Sequence, residues 1–197
     1  MTVLSLDGHD KLYGYANWTF PIGIYGCMDT FSRKMLFLAV MPSNSNPNVI
    51  GNLYLSFLTE TSMIPTHIRV DHDTETGKMA TIQAYLASKV NLFDNPLDSD
   101  IYGKSTMKKI ERFWRDLHEQ MGKYFKAQLV ELLCHRKFIE RDDTHRQILV
   151  YVYIPIIQRE CNIFLQYWNS HRIRAQRDTG LPAGILNVLF ACPKQEG

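Results

Sequence analysis

No stretch of this 197-residue chain is apolar for long enough to cross a bilayer. The longest, residues 148–157, contains Pro155 and falls short of the roughly 20 residues that a membrane-spanning helix needs. An apolar signal segment is missing from the start, so a membrane is not expected as a partner. Cysteine is scarce: Cys27, Cys134, Cys161 and Cys192 lie far apart with no Cys-x-x-Cys pair, which excludes a disulfide-stapled miniprotein and points to a reduced intracellular setting. Cys134, His135, His145, Cys161 and His171 lack the paired short spacings of a zinc finger. There is no internal repeat and no low-complexity tract. An excess of one charge is lacking too, since 22 Lys+Arg against 20 Asp+Glu leave +2.

What the chain does have is 45% hydrophobic and 12% aromatic residues, enough for one globular domain with a substantial core. Its charge is uneven along the length. Residues 1–100 hold 6 Lys+Arg against 10 Asp+Glu, a net −4, and residues 101–197 hold 16 against 10, a net +6. Apolar runs at residues 3–7, 22–29 and 34–41 predict three strands, the last two joined by the hairpin-like Thr30-Phe31-Ser32-Arg33. The turn cluster at residues 43–47 offers a cap for a helix over residues 48–61, where Ile50, Tyr54, Phe57 and Leu58 recur at helical spacing. A fourth strand is expected at residues 67–70 and a helix around Met79, Ile82, Tyr85 and Leu86. After a polar loop at residues 91–100, a long helix is predicted from about Ser105 to Lys126, with Ile110, Trp114, Leu117 and Met121 as its apolar stripe. Another helix is predicted over residues 142–168, with Pro155 as a candidate bend.

Asp7 ends the first strand, Asp71 follows the fourth, and Glu111 lies in the first turns of the long helix, 64 and 40 positions apart. Carboxylates at the ends of buried strands are costly unless neutralised, and a divalent cation does that. Three hard oxygen ligands suit Mg2+, and two ions could flank a scissile phosphate. Lys104, Lys108, Lys109, Arg112 and Arg115 surround the same helix start and are candidates for phosphate contact, against the plainer alternative of a solvated face. Glu111 and Arg115 could equally form an i,i+4 surface pair. His9, His72 and His118 lie close in sequence to the acids. Phe113, Trp114 and Trp168 read as core or dimer contacts.

These residues sit in motifs that resemble the integrase core domain of DDE recombinases. The likeness is carried by Leu6-Asp7-Gly8-His9-Asp10-Lys11-Leu12, Ile24-Tyr25-Gly26-Cys27-Met28-Asp29 with Phe31-Ser32-Arg33-Lys34, Arg69-Val70-Asp71, and Ile101-Tyr102-Gly103-Lys104-Ser105-Thr106 leading to Ile110-Glu111-Arg112-Phe113-Trp114. It extends to Tyr167-Trp168-Asn169-Ser170-His171-Arg172-Ile173-Arg174 and is closest to integrase-like proteins of eukaryotic transposable elements and their host-adopted relatives. The resemblance implies an α/β, ribonuclease-H-like fold: a mixed five-stranded sheet, three strands antiparallel and the others parallel, with helices on both faces. It implies a catalytic core over residues 1–175 with a C-terminal extension at 176–197. It further implies that Asp7, Asp71 and Glu111 bind two Mg2+ or Mn2+ ions and catalyse 3′-end hydrolysis and strand transfer on DNA, in a nuclear homodimer or larger homo-oligomer.

One departure stands beside the second acid. The family pattern Asp-x-Gly-x-Glu reads here Asp71-His72-Asp73-Thr74-Glu75, with an extra carboxylate in place of the glycine. Two rival functions follow from the same residues. A host-adopted remnant would keep the acids and serve as a non-catalytic DNA-binding or self-association module. A nuclease for RNA–DNA hybrids would need a fourth acid, for which Asp10 and Asp29 are the candidates. Because the first strand begins within a few residues of Met1, the chain is expected to be a segment of a longer protein.

Overall fold

The computed structural model describes residues 2–9, 19–71, 74–102, 108–174 and 182–193. Strands β1 (Val3–His9), β2 (Gly23–Asp29) and β3 (Met35–Met41) form an antiparallel meander. The turn between β2 and β3 is fixed locally. The Ser32 amide and hydroxyl both donate to Asp29 Oδ2, and Arg33 takes the left-handed conformation at φ 63° that reverses the chain. Helix α1 (Pro47–Thr61) starts where the Asn46 side chain accepts from the Asn48 amide and Pro47 fills the first position; it ends at Ser62, also left-handed. The chain then re-enters the sheet as β4 (His67–Val70), covers it with α2 (Gly77–Lys89), and returns as β5 (Asp100–Tyr102).

Sheet order is β3-β2-β1-β4-β5, with β4 parallel to both β1 and β5. This is the mixed five-stranded sheet expected from the sequence. The loop predicted at residues 91–100 is more structured than its composition suggests. Asn95 caps a single helical turn at Pro96–Ser99, and Asp100 already belongs to β5. Three residues in a polar setting carry too little periodicity to announce a strand; pairing with β4 makes it one.

The second half supplies helices. Helix α3 (Lys108–Leu117) runs through a π-helical turn at His118–Gly122 into α4 (Lys123–Cys134), so the predicted helix continues beyond Lys126. Helix α5 (Asp143–Ser170) is capped by Asp142, whose side chain accepts from the amides of Thr144 and His145, and it carries on through Pro155. A two-stranded ribbon, β6 (Arg172–Ile173) with β7 (Gly184–Ile185), and α6 (Leu186–Ala191) close the described chain.

Strand alternation sends apolar side chains to both faces, giving two cores. On one, Leu4, Leu6, Tyr25, Cys27, Ile68 and Val70 meet Ile50, Tyr54, Phe57 and Met79 of α1 and α2. On the other, Ile24, Met28, Met35 and Leu38 meet Ile110, Phe113, Trp114, Ile157 and Trp168, with Leu186 and Leu189 of α6 in the same cluster. Length and composition alone would let α5 cross a bilayer, unlike the shorter run judged from sequence. Its side chains bind it to the sheet instead. Gln158 accepts from the Val40 amide at 2.8 Å and donates to the Leu38 carbonyl at 2.9 Å, while Asn169 accepts from the Met35 amide and donates to its carbonyl at 2.9 and 2.7 Å. These amides serve the free edge of β3 as a sixth strand would.

Candidate active site

Leu4 and Leu6 of β1 face α1 and α2, so the alternation of the strand turns Ser5, Asp7 and His9 towards α3. There Trp114, 4% exposed, donates its indole N–H to Asp7 Oδ2 at 2.8 Å. The His9 ring lies parallel to the indole, with centroids 5.1 Å apart and planes 7° from each other. Behind the indole stands Gly26 of β2, where an added Cβ would come within 2.9 Å of Trp114 Cη2 and 3.0 Å of Met35 Cε. Glycine at this position is what lets the ring lie against the sheet.

Glu111 precedes Trp114 by one helical turn and Arg115 and His118 follow on the same side. Asp7, His9, Glu111, Trp114, Arg115, His118 and Lys126 together line an open cleft of about 550 Å³. Lys126 was not a sequence candidate. In an uninterrupted α-helix it would sit about 60° round from Glu111, and the wider π turn between them rotates α4 back towards the cleft. No sequence mark signals that turn, although a Lys fifteen positions after Glu111 was already near the right face.

Asp71 lies just beyond β4, whose register beside β1 pairs Ser5 with Arg69. Continued by two residues, that register sets Asp71 next to Asp7. Burial pushes the Asp7 carboxyl up to about 6, and the negative charges of Asp71 and Glu111 add to the rise against the lowering effect of the Trp114 N–H. The three predicted acids therefore share one electrostatic neighbourhood. Asp71 Oδ1 is buried and meets no hydrogen-bond donor among the described residues. Glu111 is exposed, and among the described residues it forms no ion pair with Arg115; the pair on this helical run joins Glu119 to Lys123.

As a donor set the acids fit a hard cation: oxygens only, mutually repelling, one of them buried without a donor. As placed, they are not yet a cage. Among the described residues no three His, Cys, Asp or Glu side chains are close enough to hold a metal ion together. Of the predicted cations, Arg115 lines the cleft, whereas Arg112 is exposed and near enough to Arg33 to lower its pKa, secondary to burial. Lys104 and the side chains of Lys108 and Lys109 lie outside the described residues, as do Asp10, His72 and Asp73. Trp114, expected as a core or dimer contact, carries a polar task as well, one that its place in an apolar stripe did not announce.

Asp7, expected to end the first strand, lies inside it, because pairing with β2 carries β1 on to His9. A mixed five-stranded sheet of this order, with one acid in β1, one just beyond the adjacent parallel β4 and a third on the helix packed against them, defines a ribonuclease-H-like polynucleotidyl transferase scaffold. A family model described as integrase core domain matches residues 2–187, and the chain belongs to that family, within the DDE superfamily. A search of curated proteins found no match. Membership implies a polynucleotidyl transferase-type role and DNA binding.

Proposed function

We propose that the protein is a metal-dependent DNA recombinase of the integrase type, carrying out 3′-end hydrolysis and strand transfer with Asp7, Asp71 and Glu111 as its catalytic and ion-binding residues. The observation that carries this reading is geometric: the strand register sets Asp71 beside Asp7, Asp7 and Glu111 line one cleft, and Asp71 Oδ1 is buried without a donor among the described residues. Asp7, Asp71 and Glu111 would hold two Mg2+ or Mn2+ ions. Such ions, when bound, supply charge for the attacking and the leaving oxygen. The chain's own groups do the rest. Arg115, His118 and Lys126 border the acids and offer donors to backbone phosphates. Lys104, Lys108, Lys109 and Arg112 are proposed as further phosphate contacts from their place in the sequence. A nuclear location goes with this reading, as the family likeness implies. Joining two DNA ends calls for two such sites, and the exposed side of α5, with Ile148, Tyr151, Ile163 and Tyr167, is the surface proposed for a second copy.

Asp71→Asn is expected to abolish Mg2+-dependent nicking and joining of terminal-repeat DNA while the far-ultraviolet circular dichroism stays as in the parent. Unchanged turnover in that variant overturns the mechanism. Lys126→Ala and Arg115→Ala should each weaken binding of the same DNA and reduce the slope of log affinity on log salt by about one.

The separation of the acids supports a second reading, a non-catalytic DNA-binding or self-association module. Calorimetry with Mn2+ separates the two, because a module of that kind binds DNA without binding the ion.

A further inference from the structure

We propose that Trp114 is a positioning residue for the ion site: its indole N–H fixes the carboxylate of Asp7 in the orientation that receives a divalent cation. The inference rests on the reading of Asp7, Asp71 and Glu111 as the ion's ligands. An aspartate carboxylate turns about a broad, nearly two-fold torsion, so strand geometry alone leaves its plane undefined. One donor on a rigid arm removes that freedom, and the 2.8 Å bond to Oδ2 is such a donor. The arm is clamped on three sides. His9 stacks on it at 5.1 Å, Phe113 meets it edge-on at 5.3 Å and 70°, and the bare Gly26 backbone closes behind it.

A tryptophan needed only for volume would satisfy its N–H wherever the core allowed. This one reaches across 107 positions of sequence to an acid of the cleft and lines that cleft itself. Partners of this kind, which hold a ligand without touching the ion, commonly change metal affinity 10- to 100-fold when removed.

Trp114→Phe keeps an aromatic ring in the slot and deletes the donor. Isothermal calorimetry of Mn2+ binding by the full chain should show ion binding in the parent and affinity about 10-fold or more weaker in W114F, with matching circular dichroism. Equal affinities overturn the proposal and leave the ion reading standing, whereas a parent that binds no Mn2+ overturns both. Because Trp114 also packs in the core, the unmutated chain provides a second measurement. Its indole N–H resonance should remain in slow exchange with solvent as Mg2+ is added, and shift with the same saturation as binding. Release of that proton into fast exchange on Mg2+ addition overturns the proposal, since the bond would then compete with the ion.

Discussion

The Trp114 indole N–H stands against burial and two neighbouring acids at Asp7, and the balance leaves its carboxyl at about 6 rather than 3.8. The native chain therefore binds more protons than the unfolded chain between about pH 4 and pH 6. Stability falls as pH rises through that window and stays reduced above it. Burial of Asp100, whose carboxyl is pushed up to about 7, extends the fall towards neutrality. Asp7→Asn is expected to stabilise the chain by about 2 kcal/mol at pH 7.5 in the presence of a chelator, and to flatten the pH dependence below 6, as urea unfolding at several pH values would show. A neutral side chain that weakens the fold at pH 7.5 would contradict this account. At this scale the sequence was legible in placing an acid just after β4, where Asp71 stands, and less so at Asp7, which lies within β1 rather than at its end. It was silent on Trp114, because a residue in an apolar stripe does not declare what its N–H will meet.

Among the elements, the strands with strong apolar patterning were readable to within a residue or two, and β4 to the residue. What failed were features made by pairing or by helical strain. β5 exists because β4 offers it a partner, and the π turn at His118–Gly122 arises inside a continuous helical run, ending at a glycine that the apolar periodicity passes over. The role of α5 was half visible. Its length could be read, but the match of Gln158 and Asn169 to the backbone of β3 depends on two elements more than 100 residues apart. Asn169→Ala strands the buried Met35 amide and carbonyl together, and should cost roughly 2–4 kcal/mol in chemical denaturation. Asn169→Leu keeps the volume and removes both bonds, so a comparable loss there, measured the same way, distinguishes missing hydrogen bonds from a missing volume.

For the molecule as a whole, the uneven charge of the sequence becomes a division between layers. All five strands of the main sheet lie within the first 102 residues, and the basic second half lays α3, α4 and α5 over one face. Two of the three acids thus come from the sheet and the third from a helix rich in cations, which is why the cleft mixes Asp7 and Glu111 with Arg115 and Lys126. The outer side of α5 remains apolar, with Tyr151 83% exposed. Sedimentation velocity over a range of concentrations is expected to show a dimer, and Tyr151→Glu to shift the distribution to monomer. A parent chain that sediments as a monomer throughout would exclude this surface as the place where two copies meet.

The amides that seal β3 are made late. Met35 and Asn169 are 134 positions apart, so at ribosomal rates of about 5–20 residues per second the edge strand waits roughly 7–27 s for its cover. During synthesis the meander of β1, β2 and β3 is a template with one open side, and the nascent chain depends on chaperones or on speed to reach α5 before another strand does.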